Sequence, residues 1–144
     1  MKKLILTVAT SFLLLACSKS DNDNSNCNFL IDVNVNYLVY LSFQPNLNQT
    51  QFPVLIDAEG VGNGGVVVMK TIGNNYVAWD NADPSHQLQS CSIMTLQGTT
   101  VTCNCEDENK YDLNTGLPLT ENLGCTLKPY FVEKNGDVLR IYNN

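Results

Sequence analysis

The amino-acid sequence predicts an all-β domain, an antiparallel sandwich or partly open barrel. Three observations predict it. Apolar residues come in strand-length runs, the clearest of them alternating with polar residues at a period of two. Clusters of Asn, Gly, Asp and Ser punctuate the runs at short intervals, as turns do. No stretch carries a helical apolar period for more than two turns.

The first segment stands apart from the domain. Lys2 and Lys3 precede an apolar run that is too short to span a bilayer and has the form of a secretory signal. It closes on Leu14-Leu15-Ala16-Cys17, which resembles the lipobox of bacterial lipoproteins. That resemblance implies a signal peptide over residues 1–16 and acylation of Cys17, with the chains holding the protein on a membrane. Residues 18–26 contain no apolar side chain and read as a flexible acidic tether. Acid placed soon after a lipidated cysteine resembles the surface-export signals of Bacteroidetes-type lipoproteins. The implied place is the cell envelope, anchored to the outer membrane, with surface exposure as a further expectation.

Residues 27–144 form the expected β domain. In residues 29–36, Ile31, Val33 and Val35 alternate with Asp32, Asn34 and Asn36, the pattern of a strand with one wet face. Residues 37–43 continue as a second strand-like run, and 44–51 form a loop. Residues 52–58 are a short strand. Residues 59–65 are glycine-rich, but they lack the lysine and following helix of a phosphate-binding loop and read as a bend. Residues 66–71 carry the continuous apolar run Val66-Val67-Val68-Met69 and predict a strand buried on both faces. Gly73-Asn74-Asn75 turns the chain into a strand over 76–80. At the other end, residues 130–134 and 137–142 form a hairpin about Asn135-Gly136, a type I′ signal. Tyr76, Trp79, Tyr111 and Tyr130 are expected in the core.

Composition narrows the function. The 144 residues suffice for one domain, and 44% of them are apolar. The formal charge of −6 becomes −8 once the leader with its two lysines is removed. An acidic surface argues against nucleic acid and against direct contact with anionic lipid. His86 is the only histidine, so any triad must use it, with Cys103 as thiolate and Asp83 orienting the ring. No oxyanion hole or substrate pocket is evident, and no catalysis is expected. Asp83, Glu106, Asp107 and Glu108 do not have the spacing of a calcium loop.

The stretch from residue 83 to 130 carries the most specific pattern. One loop reads Asp83-Pro84-Ser85-His86 and then Cys91; after a hairpin the next reads Cys103-Asn104-Cys105-Glu106. Tyr111-Asp-Leu-Asn-Thr-Gly116, Leu127-Lys-Pro-Tyr130 and Gly136-Asp-Val-Leu-Arg-Ile141 follow. Together these resemble the Rieske family, over residues 76–141. The family holds a two-iron, two-sulfur cluster between two such loops by two cysteines and two histidines. The resemblance places His86 on the first histidine ligand and Cys103 on the second cysteine ligand. Asp83 stands at the first cysteine position and Glu106 at the second histidine position. Cys91 and Cys105 fall on the disulfide that ties the loops together.

These substitutions set the functional expectations. Iron in such a cluster takes thiolate or imidazole, and carboxylate is a harder donor. The expected protein is therefore a cluster-free envelope module that binds or supports an unidentified partner. Electron transfer through a [2Fe-2S] cluster with unusual ligands is one alternative. A single divalent ion at Asp83, His86, Cys103 and Glu106 is another. With Cys91 and Cys105 joined, elimination pairs Cys27 with Cys125 and leaves Cys103 over; a Cys103–Cys125 pair is the competing connectivity.

Overall fold

The computed structural model describes residues 27–144. The leader, Cys17 and the tether lie outside the described residues. Nine strands follow in order: β1 (Asn36–Tyr40), β2 (Val54–Ile56), β3 (Val66–Lys70), β4 (Tyr76–Asp80), β5 (Thr95–Gln97), β6 (Thr100–Thr102), β7 (Lys110–Asp112), β8 (Pro129–Asn135) and β9 (Val138–Tyr142). Two short 3₁₀ turns, Pro45–Asn48 and Ser90–Ser92, are the helical segments among the described residues. None is long and apolar enough to cross a membrane.

The strands make two antiparallel sheets. The larger has the order β1-β9-β8-β4-β3-β2, and the smaller is β5-β6-β7. The two outermost strands of the larger sheet, β1 and β2, line a common cavity of about 350 Å³, so the sheet curls towards closure without completing a barrel. β3 explains the architecture. Val66 and Val68 point into the core inside the curl, with Val39, Leu47, Ala78, Leu139 and Ile141. Val67 and Met69, on its other face, pack with Met94, Val101, Tyr111, Leu113 and Leu127 beneath the small sheet. A strand covered on both sides needs apolar residues at successive positions, and Val66 to Met69 supply them.

The N-terminal segment departs from expectation. Residues 29–35 join no ladder, and pairing begins only at Asn36. Val33 N–H bonds Ile31 C=O at 3.1 Å, a tight turn that breaks the extended run. Side chains then satisfy the backbone in place of a neighbouring strand. Asn143 Oδ1 accepts from Val35 N–H and its Nδ2 donates to Val33 C=O at 2.7 Å. Asn63 does the same for both backbone groups of Ile31, and Lys128 Nζ donates to Ile31 C=O. Ile31, expected inward, is 66% exposed.

The closing hairpin is shifted by one residue. Asn135 pairs with Val138, so the two-residue connection is Gly136-Asp137 and not Asn135-Gly136. Gly136 has φ +59° and Asp137 does not share the positive φ, the type II′ pattern and not type I′. The glycine-rich bend at 59–65 holds a carboxyl group of the chain itself. Asp80, fully buried, accepts from Asn63 N–H and Nδ2 at 2.8 Å each, from Gly64 N–H, Ala82 N–H and Tyr130 Oη. That knot fixes the end of β4, where the first loop of the site begins.

Candidate functional site

Two loops meet at the end of the small sheet. The first leaves β4 and returns to β5; the second joins β6 to β7. Backbone bonds close the first on itself, Asp83 N–H to Ser92 C=O and Met94 N–H to Asn81 C=O, both at 2.9 Å. Asn104 N–H bonds Cys91 C=O at 2.9 Å and bridges the loops. A disulfide joins Cys91 to Cys105 across the same gap. A second disulfide joins Cys27 to Cys125, between β7 and β8. Among the described residues Cys103 is the free cysteine, and it is buried. The competing Cys103–Cys125 pairing does not occur.

Asp83 is the centre of the cluster. Its carboxylate is fully buried. Oδ1 accepts from Tyr111 Oη at 2.7 Å, from Ser85 Oγ at 2.7 Å and from Ser85 N–H at 2.8 Å. Oδ2 faces His86 Nδ1 at 3.2 Å and Asn109 Nδ2 at 3.4 Å. Burial alone would raise this carboxyl, but the donors from Ser85, Tyr111 and Cys103 outweigh it and hold the group below its ordinary value. Asp83 is therefore an anion neutralised by hydrogen bonds.

The anion acts on its neighbours. Burial pushes the Cys103 thiol up to about 12, and Asp83 and Asp107 add to that against the N–H of Cys105. At neutral pH Cys103 keeps its proton, with Cys91 C=O 3.6 Å from the sulfur. Burial and then Asp83 raise the Tyr111 hydroxyl as well, so it remains a donor. His86 lies between two carboxylates, Nδ1 towards Asp83 and Nε2 3.3 Å from Asp107 Oδ2. Its Nδ1 is 4.0 Å from Cys103 Sγ.

The structure thus brings Asp83, His86 and Cys103 together. Glu106 does not join them: it is exposed and makes no ion pair with His86 among the described residues, and Asp107 takes that place. The disulfide fixes Cys105, Glu106 and Asp107 form the turn that follows, and Asn109 Nδ2 holds Asp107 Oδ2 at 2.6 Å. Sequence reasoning also missed Ser85, Asn109 and the polar role of Tyr111. The signal was there for Tyr111 alone, since a buried tyrosine hydroxyl needs a partner.

The donors do not fit a two-iron cluster. His86, Cys103 and Cys105 each offer one atom within 4.8 Å of the others, but the Cys105 sulfur is bonded to Cys91 and is no thiolate. That leaves one thiol, one imidazole and carboxylates already engaged with their own donors, where a two-iron cluster takes four thiolate or imidazole ligands. Spacing alone is nearer that of one ion. Tetrahedral zinc with ordinary bond lengths separates a nitrogen and a sulfur ligand by about 3.5 Å, against 4.0 Å between His86 Nδ1 and Cys103 Sγ.

The curled antiparallel sheet, the small sheet and the two disulfide-tied loops define a Rieske-like β domain. The quaternary ammonium Rieske monooxygenase CntA bound to gamma-butyrobetaine superposes with a TM-score of 0.50 at 18% identity, over 77% of this chain and 32% of that one. The ferredoxin of carbazole 1,9a-dioxygenase from Nocardioides aromaticivorans IC177 is also similar, with a TM-score of 0.49 at 18% identity, over 78% of this chain and all of that one. At this identity the likeness concerns the fold. No family model matches the sequence, and no curated protein matches it.

Proposed function

We propose that this protein is an envelope lipoprotein whose Rieske-like domain works as a cluster-free, disulfide-braced binding module. One observation carries the reading. The position of the first cysteine ligand holds Asp83, a buried anion whose two oxygens are taken by Ser85, Tyr111, His86 and Asn109. A group so engaged is a structural hub of the loop pair, and metal would have to displace its donors. The Cys91–Cys105 bond holds the loops together without metal. Cys17 would hold the module on the outer membrane, with residues 18–26 as its tether.

Iron, acid-labile sulfide and zinc are to be measured on the full chain purified without oxygen, together with its visible absorbance. The expected result is none of the three in stoichiometric amount and no cluster absorbance. Iron with equimolar sulfide overturns the reading in favour of electron transfer. Fractionation of the same cells tests the anchor: the wild-type chain should sediment with membranes and the Cys17→Ala chain should not.

The short His86–Cys103 separation favours a second reading, one divalent ion held by Asp83, His86 and Cys103. Stoichiometric zinc without iron supports that reading over the first.

A further inference from the structure

The outer face of β1, β9 and β8 is not covered by any part of the described chain. Strand alternation turns Val39, Leu139, Ile141 and Tyr130 inward and leaves the intervening residues outside. The register sets these in three rows. Asn36, Tyr142 and Phe131 form one; Leu38, Arg140 and Glu133 the next; Tyr40, Val138 and Asn135 the third. Phe131 is 64% exposed and Leu38 48%. The Phe131 and Tyr142 rings lie 5.5 Å apart, and Phe43 extends the patch against Tyr40. Leu38, Glu133, Asn135, Val138 and Arg140 share one surface depression. Aromatic residues and arginine on an exposed face are the composition of an interface core.

The charges decide the occupant. Arg140 is the only arginine in an acidic chain, and it sits at the middle of this face. Glu133 is its register partner on β8, yet no ion pair joins them among the described residues. Arg140 instead lies over the Tyr142 ring at 4.6 Å, and its Nε donates to Asn36 Oδ1 at 2.9 Å. A face bearing one cation and one anion side by side is complementary to itself under a two-fold rotation. We propose that this face is a homodimer interface, in which two copies pack sheet on sheet and Arg140 of each meets Glu133 of the other. Three strands of about five residues span roughly 17 Å by 14 Å, about 240 Å² per copy, well under the roughly 800 Å² per partner of a stable interface. The dimer should accordingly be weak in solution and favoured where lipid anchors confine the chains to a surface.

Sedimentation velocity of the full chain in detergent, over a range of protein concentration, tests this. The wild type should pass from monomer to dimer. Glu133→Arg and Arg140→Glu should each raise the dissociation constant about tenfold or more, because like charges then face each other. The double swap should restore dimerisation, since the reversed pair is again complementary. Both residues lie on the sheet surface, and circular dichroism of each variant should match the wild type. A chain that stays monomeric at every concentration overturns the proposal. So does a dimer that neither swap weakens, or a double swap that remains monomeric.

Discussion

Asp83 shows how one buried carboxylate sets the chemistry of its neighbours. It gathers hydroxyl and amide donors, and beside it burial first, with Asp83 adding to it, raises the thiol of Cys103 until it no longer ionises at neutral pH. The consequence for stability has a definite sign. The folded-state value of Asp83 lies below that of the unfolded chain, so its contribution is complete above the ordinary carboxylate range. It disappears as pH falls through the lowered value. Asp83→Asn keeps an acceptor oxygen but loses the charge that strengthens the bonds from Tyr111 and Ser85. It should cost about 2 kcal/mol at neutral pH, measured by urea unfolding. The gap between variant and wild type should close as the wild-type carboxyl is protonated at acid pH. A gap that stays constant with pH would mean that the folded and unfolded chains hold the Asp83 proton equally, and one that widens at acid pH would mean that folding favours the protonated form.

Among the elements, those whose partners lie close in the sequence pattern were legible and those held by distant side chains were not. The continuous apolar run of β3 announced a strand buried on both faces, and β4 has the expected bounds of 76–80. The two loops and the hairpin between them were legible through the resemblance to the Rieske family, which implied the Cys91–Cys105 pair. The strand expected at 29–36 failed for a physical reason: Asn143, Asn63 and Lys128 supply its hydrogen bonds, and no periodicity can reveal partners up to 110 residues away. In the turn after Cys105 it is the Asp107 carboxylate that faces His86, which spacing does not reveal. The turn after β7 yields a sharper expectation. Gly116 has φ +73°, and a Cβ there would lie 2.6 Å from two ring carbons of Trp79. Trp79 has little freedom to yield, since its Nε1 donates to Leu113 C=O at 2.8 Å. At Gly136 the φ is also positive but nothing lies within 4 Å. Gly116→Ala should therefore cost about 3 kcal/mol, combining backbone strain with overpacking, and Gly136→Ala about 1 kcal/mol. Thermal unfolding of the two variants should separate them clearly; equal losses would show that Trp79 can move aside.

At the scale of the molecule, two disulfides divide the work of holding an incompletely closed sheet. Cys91–Cys105 spans 14 positions and ties the two loops, which are also joined by the bond from Asn104 N–H to Cys91 C=O. Cys27–Cys125 spans 98 positions and ties the first described residue to the segment before β8. The segment after Cys27 enters no ladder until β1, so this crosslink, a few side-chain bonds and the packing of Val33 and Val35 on the core seat it. Chain entropy makes the two bonds unequal. Closing about 15 residues restricts the unfolded chain by about 3 kcal/mol, and closing about 100 by about 4.7 kcal/mol. The Cys27→Ser/Cys125→Ser double variant should therefore lose more stability in urea than Cys91→Ser/Cys105→Ser, although only the second pair lies at the loops. Its ladder strands should still form, because β1 pairs with β9 through five register positions that do not involve residue 27. An equal or smaller loss from the long crosslink would mean that the N-terminal segment remains near Cys125 in the unfolded chain. The closure entropy would then be largely absent.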